Sequence, residues 1–288
     1  MPNAPLVLSD NLFESTVLHP SFVIGNLQAD DASGHELFHA ADNLRDMTSW
    51  MPSASNSARN LYVDSGSGNT ISANAVVLDR GHNLAGKTVN FGSYTDATLA
   101  TPITVNTYTI PSTAGGLPSD ANGCLAADGT WWKTFTTVTG RALAFTVQAM
   151  GAGLSPVVTG LYAGASYRFP GYMNAPFADD YDTDIQIQTN RTSRGGLRVM
   201  TRKLNFRKLA LSIDLESTDY AAFDAQVRPL LRYGQPWWVC FDDSDATHAG
   251  LIAPFQLSGN VRYQPSANPV HREIRGLELE ELLPRLWT

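Results

Sequence analysis

Two groups of acidic residues are the first candidates for chemistry. Asp179, Asp180, Asp182 and Asp184 crowd one short stretch, and Asp242, Asp243 and Asp245 another. A glycosidase needs two carboxylates held at a fixed separation across the scissile bond. Spacing along a chain does not set that separation, and clustered Asp in loops more often marks turns, solvated edges or an adventitious cation. Asp242, Asp243 and Asp245 are oxygen donors of the kind calcium takes. Their loop, however, lacks the central Gly and the acidic twelfth position of an EF-hand. A Ser/His/Asp nucleophile would need a well-placed His. Among His19, His35, His39, His82, His248 and His271, only His82 stands in a recognisable turn, Gly81-His82-Asn83-Leu84. Its expected role is local hydrogen bonding that holds the turn. No Gly-x-Ser-x-Gly elbow is present, and no Gly-rich loop precedes a helix as a phosphate cradle requires. The reading is a chain with no catalytic residues, no metal and no cofactor.

Aromatic pairs carry more promise. Trp131-Trp132 and Trp237-Trp238 each place one ring on either side of a strand, because side chains alternate. One ring can fill a core; the other faces solvent, a ligand or a partner. Trp131, Trp132 and Trp238 are therefore candidate contacts, with protein ahead of glycan for Trp131 and Trp132. Trp287, near the C-terminus, reads either as a docking tail or as packing against its own domain.

Composition narrows the setting. The chain has 288 residues, enough for two domains, and only 16% of them are charged. Low charge with much Ser, Thr, Asn and Gly suits β-rich proteins and proteins that bury surface in assemblies. A net charge of −7 argues against nucleic acid as the main partner. The basic cluster between Arg191 and Lys208 reads as a solvated face or a subunit contact. The two cysteines, Cys124 and Cys240, do not imply a disulfide framework. The N-terminus has no signal-peptide pattern, and no run of about 18 apolar residues suggests a membrane span. The expectation is a soluble protein made in a cytoplasm.

The elements that must position these residues are mostly strands. Short apolar runs bounded by Gly, Pro, Asn and Asp recur through residue 168, among them Ala75–Leu78, Thr88–Phe91, Ile103–Ile110, Thr130–Val138 and Ala142–Ala149. That rhythm predicts a sandwich or barrel. Residues 169–182, broken by prolines and carrying aromatic anchors, read as an ordered linker. Residues 183–288 read as a second β-rich domain. There Leu209–Glu216 alternates as a half-buried strand, and 218–232 reads as a helix capped by Ser217-Thr218-Asp219 and stopped by Gly234. Trp237–Phe241, Ser258–Tyr263 and Glu273–Glu280 supply further strands.

The order of motifs resembles a known family. Asn43-Leu44-Arg45-Asp46 with Trp50, the strand Ala75–Leu78 leading into Gly81-His82-Asn83-Leu84, and the closing stretch Arg141–Tyr162 are similar to discoidin-like (galactose-binding-like) jelly-roll β-sandwiches of phage tail proteins. The resemblance makes Asn43, Leu44, Trp50, Gly81, His82, Asn83 and Leu84 signatures of fold and not ligand contacts. The second part resembles the β-rich tail-tip domains of long-tailed phages, a barrel or sandwich with one inserted helix. Together they look like a distal tail or minor tail protein. That implies a virion protein forming a ring of its own copies between tail tube and tail hub. The alternative is a carbohydrate-binding module that aids adsorption to a host surface glycan.

Overall fold

The apolar runs become strands, and the chain is mainly β. The computed structural model describes residues 6–9, 27–29, 50–52, 57–168, 180–191, 197–216, 221, 237–240, 242–250, 252–257, 262–265, 271–281 and 285–286. Asn43, Leu44 and Trp287 lie outside the described residues, as does the helix expected at 218–232 apart from Ala221.

Two compact units divide the chain. One comprises Pro5–Arg168 with Cys240–Ile252; the other comprises Met1–Ala4, Phe169–Val239 and Ala253–Thr288. The first stretch of the sandwich unit ends at Arg168. The assignment of all of 183–288 to the second domain needs correction, because 240–252 returns to the first unit.

The first unit is a β-sandwich. Its strands are β1 (Leu6–Ser9), β2 (Leu27–Ala29), β3 (Arg59–Asp64), β4 (Ile71–Leu78), β5 (Thr88–Tyr94), β6 (Pro102–Thr109), β7 (Cys124–Leu125), β8 (Trp131–Gly140), β9 (Ala142–Val147) and β10 (Leu161–Arg168). One sheet runs β2-β3-β9-β5-β6, and the facing one runs β1-β10-β4-β8-β7. All pairings within them are antiparallel. Between the sheets lies a core of Trp50, Leu61, Val63, Val76, Leu78, Leu84, Val89, Phe91, Trp131, Leu143, Phe145, Val147 and Leu161. Each fully buried aliphatic or Phe side chain of this set is worth roughly 1.5–3 kcal/mol relative to exposure.

Central strands show why alternation alone could not report burial. All six residues of β9 are buried. Leu143, Phe145 and Val147 point into the core, while Ala142 and Ala144 lie on the outer face beneath Tyr94, Tyr62 and Leu99. Small residues are needed there, because rings lie over that face. Leu99 adopts φ 57°, a left-handed conformation uncommon for Leu. Its loop is tied by Asp96, whose Oδ1 accepts from Thr98 N at 2.8 Å.

The second unit holds β11 (Asp180–Arg191), β12 (Leu197–Glu216), β13 (Trp237–Cys240, its last residue in the first unit), β14 (Ala253–Leu257), β15 (Arg262–Pro265), β16 (His271–Glu281) and β17 (Arg285–Leu286). β12 pairs with β11 along one edge and with β16 along the other. The Leu209–Glu216 strand is therefore present as the second half of β12. Asp180, Asp182 and Asp184 are corrected from linker and loop to strand: they lie in β11, with Asp180 opposite Lys208. The linker expected over 169–182 accordingly ends before Asp180. A helical turn, α1 (Ala246–Ala249), belongs to the first unit.

Candidate functional site

The Trp131-Trp132 pair is where the structure departs most from expectation. Trp131 points into the core and donates its indole N–H to Asn122 O at 2.8 Å. Trp132 points the other way, and so was expected to reach solvent. It is 0% exposed. Its indole N–H donates to the carbonyl of Ala249 at 3.0 Å, across 117 residues of sequence. Register places Cys124, Trp132, Val77 and Tyr162 in one row across β7, β8, β4 and β10, and all four are buried. The stretch Cys240–Ile252 supplies the cover, with Ala249 and Ile252 buried themselves.

Neither Trp131 nor Trp132 can therefore stack on a sugar or touch a partner without local unfolding. Trp238 needs the same correction. It lies in β13 between paired neighbours, and Trp238, Val239 and Cys240 are all buried, so this strand is covered on both faces.

The second acidic group also has structural work. Asp243 pairs with Arg168 at the end of β10. Asp242 Oδ1 accepts from Ser244 N at 3.0 Å and Ser244 Oγ at 2.6 Å, and the Asp245 carbonyl accepts from Ala249 N at 2.7 Å. These contacts shape the turn that leads into α1. Among the described residues, no group of three or more His, Cys, Asp or Glu is placed to hold a metal.

The Gly81–Leu84 turn is a clip. Gly81 takes φ 90°, which glycine alone adopts readily. Leu84 N donates to His82 Nδ1 at 3.1 Å and Leu84 itself is fully buried. Asn83 spends its whole amide on the loop before β10: Nδ2 donates to Ser155 O at 2.9 Å, and Oδ1 accepts from Val157 N at 2.8 Å. Trp50 then closes the same end by a two-way backbone bridge to Val158. Burial pushes the His82 imidazole down to about 4, opposed by the backbone of Gly129 and the charge of Asp79. Its Nε2 is buried and makes no hydrogen bond of normal geometry. Neutral and enclosed, His82 is a turn-former and not a proton shuttle.

Other reactive side chains are similarly withdrawn. Cys124 and Cys240 are free and buried. Burial pushes the Cys124 thiol up to about 11 and Cys240 higher still, away from thiolate chemistry. Lys133, only 6% exposed, donates to the carbonyls of Pro118 and Thr134 and lies 5.7 Å from the centre of the Tyr108 ring. It pins the Pro118 loop to β8. No sequence signal marked Lys133, because its amino group is satisfied by backbone carbonyls and not by a motif. The return of 240–252 was equally hidden, although Ala249 and Ile252 hint at it as apolar positions within a polar loop.

No family model matches the chain, and no curated protein matches it. Solved structures do resemble it. Chitosan-binding module 1 from a Paenibacillus chitosanase/glucanase has a TM-score of 0.36 and 18% identity, covering 54% of this chain and 98% of the module. A CBM32 module of a Clostridium perfringens GH89 protein has 0.32 and 16%, covering 55% and 99%. A GH29 fucosidase of Ruminococcus gnavus has 0.35 and 14%, covering 49% of this chain and 25% of the enzyme. The β-sandwich of the first unit rests on its own two antiparallel sheets.

Proposed function

We propose that the chain is a non-catalytic structural subunit whose surfaces serve protein assembly. The observation that carries this reading is that Cys240–Ile252 completes the sandwich from near the other end of the chain, tied to it by the Trp132 indole on the Ala249 carbonyl. A sandwich made of two distant stretches is not a portable module that can be excised as one segment. In its finer form the proposal is a phage tail-tip protein, forming a ring of its own copies between tail tube and tail hub in the virion. Immunogold labelling of purified virions, with negative-stain microscopy of the purified full chain, tests it. Label at the tail tip and a ring-shaped particle are expected; a monomer absent from virions sinks the tail-tip form.

Carbohydrate recognition is the second reading. It is the kind of function named for the chitosan-binding and CBM32 modules, and a related chitosan-binding module is seen in complex with chitotriose; the neighbours named above are not tail proteins. Within residues 57–168 the exposed large apolar side chains are Ile103, Val105 and Leu154, and no aromatic ring there is exposed. A glycan would therefore bind there through hydrogen-bonding loops. A glycan array probed with the full chain tests this, and silence across host-surface glycans removes the reading.

A further inference from the structure

The edge strand β6 is open. In the sheet order β2-β3-β9-β5-β6 it stands last, and β5 is its only strand partner among the described residues. Ile110 N, just beyond β6, donates to Lys87 O, toward β5. Thr109 N points the opposite way, off the sheet, where it donates to Asn122 Oδ1 at 3.0 Å. With a two-residue period, the backbone N–H and C=O groups of Thr107 and Val105 also face off the sheet. The Asn122 side chain closes this edge at Thr109. The register with β5 skips Ile103, which bulges between Thr104 opposite Ser93 and Pro102 opposite Tyr94 and closes that end. What remains open is Thr104–Thr107, with Val105 facing off the sheet.

Natural edge strands are normally protected by charge, by a bulge in mid-strand or by a covering segment. Thr104–Thr107 carries no charge and no bulge, and among the described residues no strand but β5 pairs with it. Residues 102–109 contain no Lys, Arg, Asp or Glu. Ile103 is 53% exposed and Val105 40%. Gly92, opposite Val105, holds the strand close: a Cβ there would lie 2.7 Å from Thr104 O and 2.9 Å from Val105 Cγ2. The edge is thus firmly placed on its own sheet and unfinished on the other side.

We propose that β6 pairs antiparallel with β6 of a second copy of this chain, about a two-fold axis at Val105. Two properties select a second copy as the occupant. First, the window is self-complementary. With Val105 opposite Val105, apolar meets apolar at the axis and Thr104 falls opposite Asn106, polar against polar, while the Thr107 methyl lies toward Ile103. Such an isologous contact closes on itself. Second, each copy carries a net charge of −7, and two like-charged chains meet at least cost along a seam with no charged side chain. Pairing would complete the backbone bonds of Val105 and Thr107 and cover Ile103 and Val105. It stands independently of the tail-tip and carbohydrate readings.

Sedimentation velocity of the full chain over a range of micromolar concentrations, with the V105K and T107K variants alongside, tests the pairing. A two-chain species is expected for the wild type, weakened at least tenfold in either variant: V105K sets two like charges opposite one another at the axis, and T107K sets a charge against the apolar Ile103 of the second copy. Both positions are solvent-facing, so circular dichroism should show unchanged folding. V105C supplies the direct geometric readout. Paired residues that exchange both backbone bonds have Cα atoms about 5.5 Å apart, which a disulfide spans, and the native thiols are buried. Mild oxidation should give a covalent two-chain product. A wild type that stays monomeric, an assembly indifferent to both lysines, or no V105C cross-link overturns the proposal.

Discussion

Acidification should destabilise the sandwich through one side chain, His82. Its imidazole sits at about 4 in the fold, against 6.5 when unconstrained. A cation there would be desolvated, and a proton on Nδ1 would remove the acceptor for Leu84 N. Above about pH 6.5 the imidazole is neutral in both folded and unfolded chains and no stability depends on pH. Below that, the unfolded chain binds a proton that the folded chain refuses, so stability falls with pH until about pH 4. A gap of about 2.5 pH units at ~1.4 kcal/mol per unit gives a total loss of about 3 kcal/mol, of which about 2 kcal/mol is gone by pH 5. Asp64 adds a loss of its own on acidification, because hydrogen bonding to Arg141 holds its carboxyl below the usual range. The variant H82N separates the two. Asn can accept the amide two residues on as an Asx turn, so the turn survives while the titration disappears. Urea unfolding followed by tryptophan fluorescence at pH 7.5, 6.0 and 5.0 should show H82N losing about 2 kcal/mol less than wild type by pH 5. Parallel pH profiles for the two proteins would refute the assignment of the titration to His82.

Three further outcomes follow from the packing. W132A removes a fully buried ring and leaves the Ala249 carbonyl without its donor, so a loss of about 3–5 kcal/mol is expected in chemical denaturation, whereas W132F should lose only about 1–2 kcal/mol. G92A drives a Cβ against Thr104 O and should cost about 1–3 kcal/mol; deuterium exchange at β6 amides should accelerate ahead of exchange in β9. N83A cuts both ties to the loop before β10 and should cost about 1–2 kcal/mol in urea unfolding, with limited proteolysis at 150–157 becoming faster.

Much of the sandwich was legible in the residues themselves. Ile103–Ile110, Thr130–Val138 and Ala142–Ala149 became β6, β8 and β9 within a few residues at each end, because β-branched and aromatic runs between turn residues have few other stable forms. The role of His82 as a turn-former was also legible, since Gly81-His82-Asn83-Leu84 carries its own local hydrogen bonding. Strand β12 could be seen in Leu209–Glu216 by alternation, but its first half, from Leu197, could not. Its charges at Arg198, Arg202 and Lys203 interrupt the apolar pattern that marks a strand.

The functional surface was not legible. Alternation correctly placed Trp131 and Trp132 on opposite faces of one strand, and the sequence by itself determined that much. Which face meets water depends on what lies over it, and that is a long-range fact. Cys240–Ile252 arrives from more than a hundred residues away to bury Trp132, so no local pattern around Trp132 could report it. The same reasoning governs the edge. The composition of β6, apolar and uncharged, is written in the chain; that it ends a sheet with Val105 facing outward was decided only when β5 took its other side. Local physics set the strands and turns, and tertiary pairing decided which of their faces remain available.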